Sequence, residues 1–324
     1  MGDHPLRPAE WDFVAARRRL EDKPKSAAEK LTSLDDAAAR VADGDRVAIG
    51  GCLFSRTPLA LVREIVRMRR RGLTLARNLM CTEGEFMMAA GAVERVMTAW
   101  MSIGLPWGVS KVMRHYVESG AVVLEEWSHL ALGLRFRAAA MGVPFVPALT
   151  MLGSDLVGVG GMKTVADPYT GQTLAAVPAL FPDVALLHVH RADRFGNCQI
   201  DGYRHMDADI ASAAHTVLVT TEELVTDDDT RRHPDRTVIP GFLVDALVHV
   251  PFGSFPHECY GLYEADYEHF GEYTADIDAR GPQAALVDYL QRYVYGPPSW
   301  DAYLDLFGGE RLAKQRAVAR ELTG

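Results

Sequence analysis

The sequence predicts an α/β fold, a mostly parallel sheet with helices on both faces, followed by a helical C-terminal tail. Three observations carry this expectation. Short apolar runs at 47–49, 184–190 and 216–221 read as strands covered on both faces. Helix-length segments separate the strands, which makes successive strands parallel. The stretches 282–294 and 299–322 then read as helix.

Element by element, residues 1–31 are polar and charge-rich, with Pro5, Pro8 and Pro24, and read as an N-terminal extension holding a short helix over 10–20. The body is a single domain over 32–324. Ser33 is an N-cap for a helix through Val41, with Asp35 and Asp36 in its first turn. Strand 47–49 runs into Gly50-Gly51, and Pro58 suits the first turn of the helix that continues over 61–70. Strands follow at 73–75 and 95–100. A helix over 109–119 stops at Gly120, a strand covers 121–124, and a helix over 129–141 stops at Gly142. Strands at 184–190, 216–221 and 246–250 complete the sheet. No internal repeat is visible.

The chain has 324 residues, 48% of them apolar and 24% charged, enough for a substantial core. A formal net charge of −9, with no basic block interleaved with aromatics, argues against a nucleic-acid partner. The one dense cationic run, Arg67-Met68-Arg69-Arg70-Arg71, reads as a solvated helix end, where cations complement the dipole. No apolar run of about 18 residues is present, so no membrane helix is expected. The start, Met1-Gly2-Asp3-His4, lacks an apolar signal core, which makes the cytoplasm the expected location. Cys52, Cys81, Cys198 and Cys259 lie far apart and are expected to be reduced thiols.

Ligands of open α/β sheets bind beyond the carboxyl ends of the strands, so Gly50 and Gly51 mark a site candidate. An ordinary β-to-α turn is the competing explanation. Ser55 lies on the same loop. Arg56 has two readings: a bidentate partner for a substrate carboxylate, or a structural ion pair that ties down the loop. Glu83, Ser102, Ser128 and Ser154 follow predicted strands and either line the cleft or cap local turns. His188 and His190 alternate on one strand and share a face, and core or interface histidines explain them better than a metal pair does.

From Asp43 to Pro58 the chain also resembles the signature of the family I coenzyme A transferases. That pattern is Asp-Gly, two free positions, three apolar residues, Gly-Gly-Phe, three free positions, Gly, one free position and Pro. The spacing matches without a gap; Cys52 replaces the Phe and Arg56 replaces the second Gly. The Arg-x-Pro ending is similar to the alpha subunit of glutaconate CoA-transferase. Further landmarks are Gly142-Val143-Pro144-Phe145-Val146-Pro147, Ala192-Asp193-Arg194-Phe195-Gly196-Asn197, Thr220-Thr221-Glu222-Glu223 and Ile239-Pro240-Gly241. They keep the family's order over residues 31–312.

The resemblance implies a glutamate that attacks an acyl-CoA thioester, forms an anhydride and becomes a glutamyl-CoA thioester. In two-subunit members that glutamate sits on the beta subunit in a Glu-x-Gly context. Glu83-Gly84-Glu85 does not reproduce it, and a helix ending in Gly explains Glu118-Ser119-Gly120. This chain is therefore expected to be the alpha subunit, partnered by a separate CoA-transferase beta subunit in a heterotetramer or larger heteromer. Its substrates would be an acyl-CoA and a small carboxylic acid, with no permanently bound cofactor or metal. Recognition and oxyanion stabilisation are expected from Gly50, Gly51, Ser55 and Arg56. Two rivals remain: a related ring-opening C–C hydrolase of steroid catabolism, which places an acid near Ser128, and a non-catalytic metabolite sensor. The neutral Ser128 favours transfer.

Overall fold

A computed structural model describes residues 12–159 and 162–323. Its central sheet runs, in spatial order, Val123–Glu126, Val93–Thr98, Leu73–Ala76, Arg46–Ile49, Val184–Ala192, Thr216–Leu224 and Ala246–His249, every neighbouring pair parallel. The winding reverses beside Arg46–Ile49. From there the chain builds outward through Leu73–Ala76 to Val123–Glu126, then crosses back to Val184–Ala192 and builds the other way. Val47 pairs with Leu75 on one side and with Val184 on the other.

Arg46–Ile49 stops level with Leu186, while its neighbour continues to Ala192. Thr216–Leu224 occupies the neighbour's opposite edge along its length. The edge left free beyond Ile49 is taken by the antiparallel strand Cys198–Gln199, itself paired to Thr237–Ile239. The short strand thus ends at the switch point of the sheet, the place where open α/β folds form their ligand crevice.

Alternation along the strands splits the core into two layers. Val47, Ile49, Leu75 and Leu186 pack with Leu61 and Ile65 of the helix Leu59–Arg67. Ala48, Ala76, Leu187 and Val189 pack with Leu132 and Phe136 of the helix His129–Met141. That second helix is bounded as the sequence indicates: Ser128 accepts the Ala131 N–H at 3.1 Å, and Gly142 takes φ +72°. Ser33 caps Leu34–Ala38, shorter than expected, and Ser110 rather than Val109 opens Lys111–Glu118.

Several elements differ from expectation. The helix Thr82–Ala89 has no amphipathic period because almost all of it is buried. A second, antiparallel sheet orders Phe145–Ala148, Thr173–Pro178 and Lys163–Ala166. The helices Asp207–Ala213 and Tyr267–Arg280 were also unpredicted. In the extension a helix spans Phe13–Glu21, and the earlier part of the predicted helix lies outside the described residues. Phe13 packs on Phe181, Lys23 pairs with Asp245 at 2.6 Å, and Leu31 bridges Leu247. The cationic run is only partly a solvated end: Arg69 and Arg71 are exposed, whereas Arg67 and Arg70 are half-buried. Arg67 donates to the carbonyls of Val294, Tyr295 and Pro297, and Arg69 stacks 3.8 Å from the Tyr295 ring centre. It bolts the C-terminal segment to the sheet layer. Among the described residues no helix is long and apolar enough to cross a membrane.

Candidate active site at the strand switch point

The loop after Arg46–Ile49 enters the crevice in a conformation that only glycine permits at its first turn. A Cβ on Gly51, at φ +65°, would lie 2.0 Å from the Ser55 carbonyl oxygen. One on Gly50 would lie 2.4 Å from Leu187 Cδ2. Cys52 and Ser55 then exchange backbone bonds of 3.0 and 2.9 Å. The Arg56 N–H reaches the Glu258 carbonyl at 2.9 Å, and the Glu258 N–H returns to Phe54 at 3.1 Å.

Asp207 holds this loop from beneath. Its Oδ1 accepts the Gly51 N–H at 2.8 Å, and its Oδ2 pairs with Arg56 Nη1. Arg56 also donates to the carbonyls of His188 at 3.0 Å and Tyr203 at 2.7 Å. Both side chains are wholly buried. Both terminal nitrogens of the guanidinium are thus spent inside the protein, which is the loop-tying reading of Arg56. Asp207 was missed from sequence because its partners lie 151 and 156 residues away, with no local pattern to mark it.

Behind the loop, Thr57 Oγ1 donates to Leu53 O and accepts from Arg77 Nη2 at 3.0 Å. Its single proton being used, His257 Nδ1 donates to it at 2.7 Å, and His257 Nε2 accepts from Thr82 at 2.7 Å. Burial keeps His257 well below the usual imidazole range, so it is neutral. Arg77 meets Glu83 at 2.5 Å, and both Glu83 oxygens accept the Cys81 N–H. On the neighbouring strand His188 bonds Glu222 and Thr220, each at 2.8 Å. Glu222 also accepts from Tyr263 and from the N–H groups of Phe252 and Gly253. Burial acts to raise its pKa, but the bonds from His188, Tyr263 and Phe252 outweigh it and hold the carboxyl below its ordinary value. His190 bonds the Tyr260 carbonyl at 2.9 Å and is pushed by burial down to about 4.

Two groups, Cys81 with Glu83 and His257, and His188 with Glu222 and Cys259, bring ligand atoms within 4.8 Å of one another. The histidine nitrogens and both carboxylates are already engaged by protein partners, as just described.

Of the sequence candidates, Gly50, Gly51, Ser55 and Arg56 come together at the crevice, and Glu83 backs them through Arg77 and Thr57. The Ser55 hydroxyl is buried with no partner among the described residues. Ser102 instead staples a turn: its hydroxyl meets the carbonyls of Gly104 and Gly108 and accepts the Gly104 N–H. Ser128 caps its helix and meets Thr150 Oγ1 at 2.8 Å. Ser154 is exposed and bonds the Met151 carbonyl. The oxyanion role expected of the loop N–H groups needs free donors. Those of Gly50, Gly51, Cys52, Leu53, Ser55 and Arg56 all have acceptors within the fold.

The family model for coenzyme A transferase matches residues 31–250. The chain belongs to the coenzyme A transferase family. It is 31% identical to the alpha subunit of glutaconate CoA-transferase from Acidaminococcus fermentans, over 89% of this chain and 95% of that one. The crystal structure of that transferase superposes with a TM-score of 0.84 at 30% identity, covering 89% of this chain and 95% of the other. The chain is 36% identical to the alpha subunit of 3-oxoadipate CoA-transferase from Pseudomonas knackmussii, over 85% and 96%. It is 28% identical to the cholesterol ring-cleaving hydrolase IpdA subunit of Mycobacterium tuberculosis, over 87% and 99%.

Against the family signature, the departure at Arg56 acquires a physical reason. Its φ of +52° is the left-handed region that glycine enters freely and other residues enter at about 1–2 kcal/mol. The ion pair with Asp207 offsets that strain. The other departure, Cys52, is not an activated nucleophile: burial pushes its thiol pKa up.

Proposed function

We propose that the chain is the alpha subunit of a heteromeric, cytoplasmic CoA-transferase that moves CoA between an acyl-CoA and a carboxylic acid. The nucleophilic glutamate comes from the beta subunit. One observation carries this reading: among the described residues, the carboxylates packed around the crevice loop already have partners. Asp207 is held by Arg56, Glu83 by Arg77, and Glu222 by His188 and Tyr263. Glu258, whose backbone flanks the loop, is pushed up to about 7 by burial and by Glu264, which also hydrogen-bonds it. None of these is free to attack a thioester. What the chain offers is a rigid wall at the switch point, with Gly50 and Gly51 setting its turn. Arg56 fixes its shape, and the Ser55 hydroxyl beside it is buried with no partner among the described residues. Glu83, Ser102, Ser128 and Ser154 support the surrounding turns.

The test is co-expression with the beta subunit it pairs with. The complex should transfer CoA only when an acceptor acid is present, with ping-pong kinetics, and the isolated chain should transfer none. Turnover by the chain alone refutes the shared site. Acceptor-independent release of CoA, or a ring-opened product, moves the chain to the hydrolase branch.

A further inference from the structure

Away from the crevice, a cavity of about 260 Å³ lies between the helices Thr82–Ala89, Lys111–Glu118 and Tyr267–Arg280. Its lining is mixed, with Ile103, Trp107, Val112 and Ile277 among the apolar residues and Ser110 and Thr274 among the polar ones. At its mouth the exposed pair Lys111–Asp278 carries no net charge. Inside is Glu85, only 1% exposed. Its carboxyl accepts the Tyr273 hydroxyl at 2.6 Å and a bond from Ser110. Among the described residues no cation reaches it: Arg77 is taken by Glu83 and Lys111 by Asp278. The titratable groups around it are Glu83 and Cys81 on its own side, Lys111, Tyr273 and Asp278 on the facing helices, and Tyr289 behind Tyr273.

A buried carboxyl with two hydroxyl donors and no counter-charge, in a cavity walled by both apolar and polar groups, is an incomplete ion pair beside open space. We propose that this cavity binds a small organic cation, an ammonium on an apolar body, with Glu85 as its counter-ion. The hydroxyls of Tyr273 and Ser110 orient the carboxylate, and the face of Trp107 suits a cation. Burial pushes Glu85 up to about 7, so binding must ionise it and releases a proton over the neutral range. Trp107 packs on Phe270, which stacks on Phe54 of the crevice loop, so the occupant would lean on the same wall.

Calorimetry on the full chain in complex with its partner tests this, with benzylamine as the probe and benzyl alcohol as its neutral counterpart. Benzylamine should bind at least about tenfold more tightly than the alcohol. Its affinity should rise about tenfold from pH 6 to pH 8, following the ionised fraction of a group titrating near neutrality. Glu85→Gln should erase both differences while melting no earlier than the native chain, because it removes a buried ionisable group. Thr274→Trp, which fills the cavity without touching Glu85, should abolish binding of both probes. Equal affinity for amine and alcohol, or amine binding untouched by Glu85→Gln, overturns the proposal, as does no binding at millimolar concentration.

Discussion

Removing the Arg56 guanidinium should damage the fold before it damages chemistry. Arg56→Ala leaves the Asp207 carboxylate buried without its cation and orphans the carbonyls of His188 and Tyr203. Breaking one side of a buried pair costs about 3–5 kcal/mol. Against a total stability of about 5–15 kcal/mol, that is a large share. Arg56→Gly loses the same pair but releases the left-handed strain at φ +52°, so it should fall about 1 kcal/mol less. Asp207→Asn keeps an acceptor for Gly51 but strips the charge from Arg56, at about 2–4 kcal/mol. The double variant Arg56→Gly/Asp207→Asn carries no unpaired charge. It should cost at least about 2 kcal/mol less than the sum of the single changes. Urea unfolding followed by tryptophan fluorescence reads all four. If Arg56→Ala stays within about 0.5 kcal/mol of the native chain and only raises KM for the acid, Arg56 is a substrate ligand and the argument fails.

Gly51→Ala should abolish transfer and lower the melting temperature, because its Cβ would overlap the Ser55 carbonyl; normal activity would mean the turn can open. Ser128→Ala removes a helix cap and should cost about 1 kcal/mol with kinetics otherwise unchanged, whereas a selective loss of kcat would give the hydroxyl a role in the reaction. His190 and His269 are held by burial to about 4, and His257 lies well below its ordinary value. Below pH 6.5 the unfolded chain takes up protons that these folded imidazoles refuse, so stability should fall from pH 6.5 towards pH 4. A urea midpoint that stays flat down to the carboxylate range would show that these imidazoles do gain protons in the folded state.

The parts of the fold that could be read from sequence are those whose determinants lie close together in the chain. Ser128 and Gly142 bound their helix by local hydrogen bonds and a local φ, and both were legible. The strand into Gly50-Gly51 was legible for the same reason. The helix Thr82–Ala89 was hidden because Thr82 to Met88 are all buried, leaving no polar face to set a period. Arg56 could be seen as important but not in which sense, since the choice depended on Asp207 and on two distant carbonyls. Arg67 read as surface because the carbonyls of Val294, Tyr295 and Pro297 to which it donates come from the far end of the chain.

The dependence of the crevice loop on Asp207 also dictates an order of events during folding. Residues 43–58 carry the whole family signature, yet the atoms that shape it arrive on His188, Tyr203, Asp207 and Glu258. A nascent chain that has emerged only as far as the helix His129–Met141 contains the signature, Leu79 and Arg77, but none of these four supports. Closing a contact across some 150 residues carries a high entropic cost that local pairing does not. The loop should therefore reach its working shape only after the chain has crossed back and the second run of parallel strands has zipped onto the first. Amide exchange at Gly51 would then report the docking of the two halves of the sheet rather than the formation of the strand that precedes it.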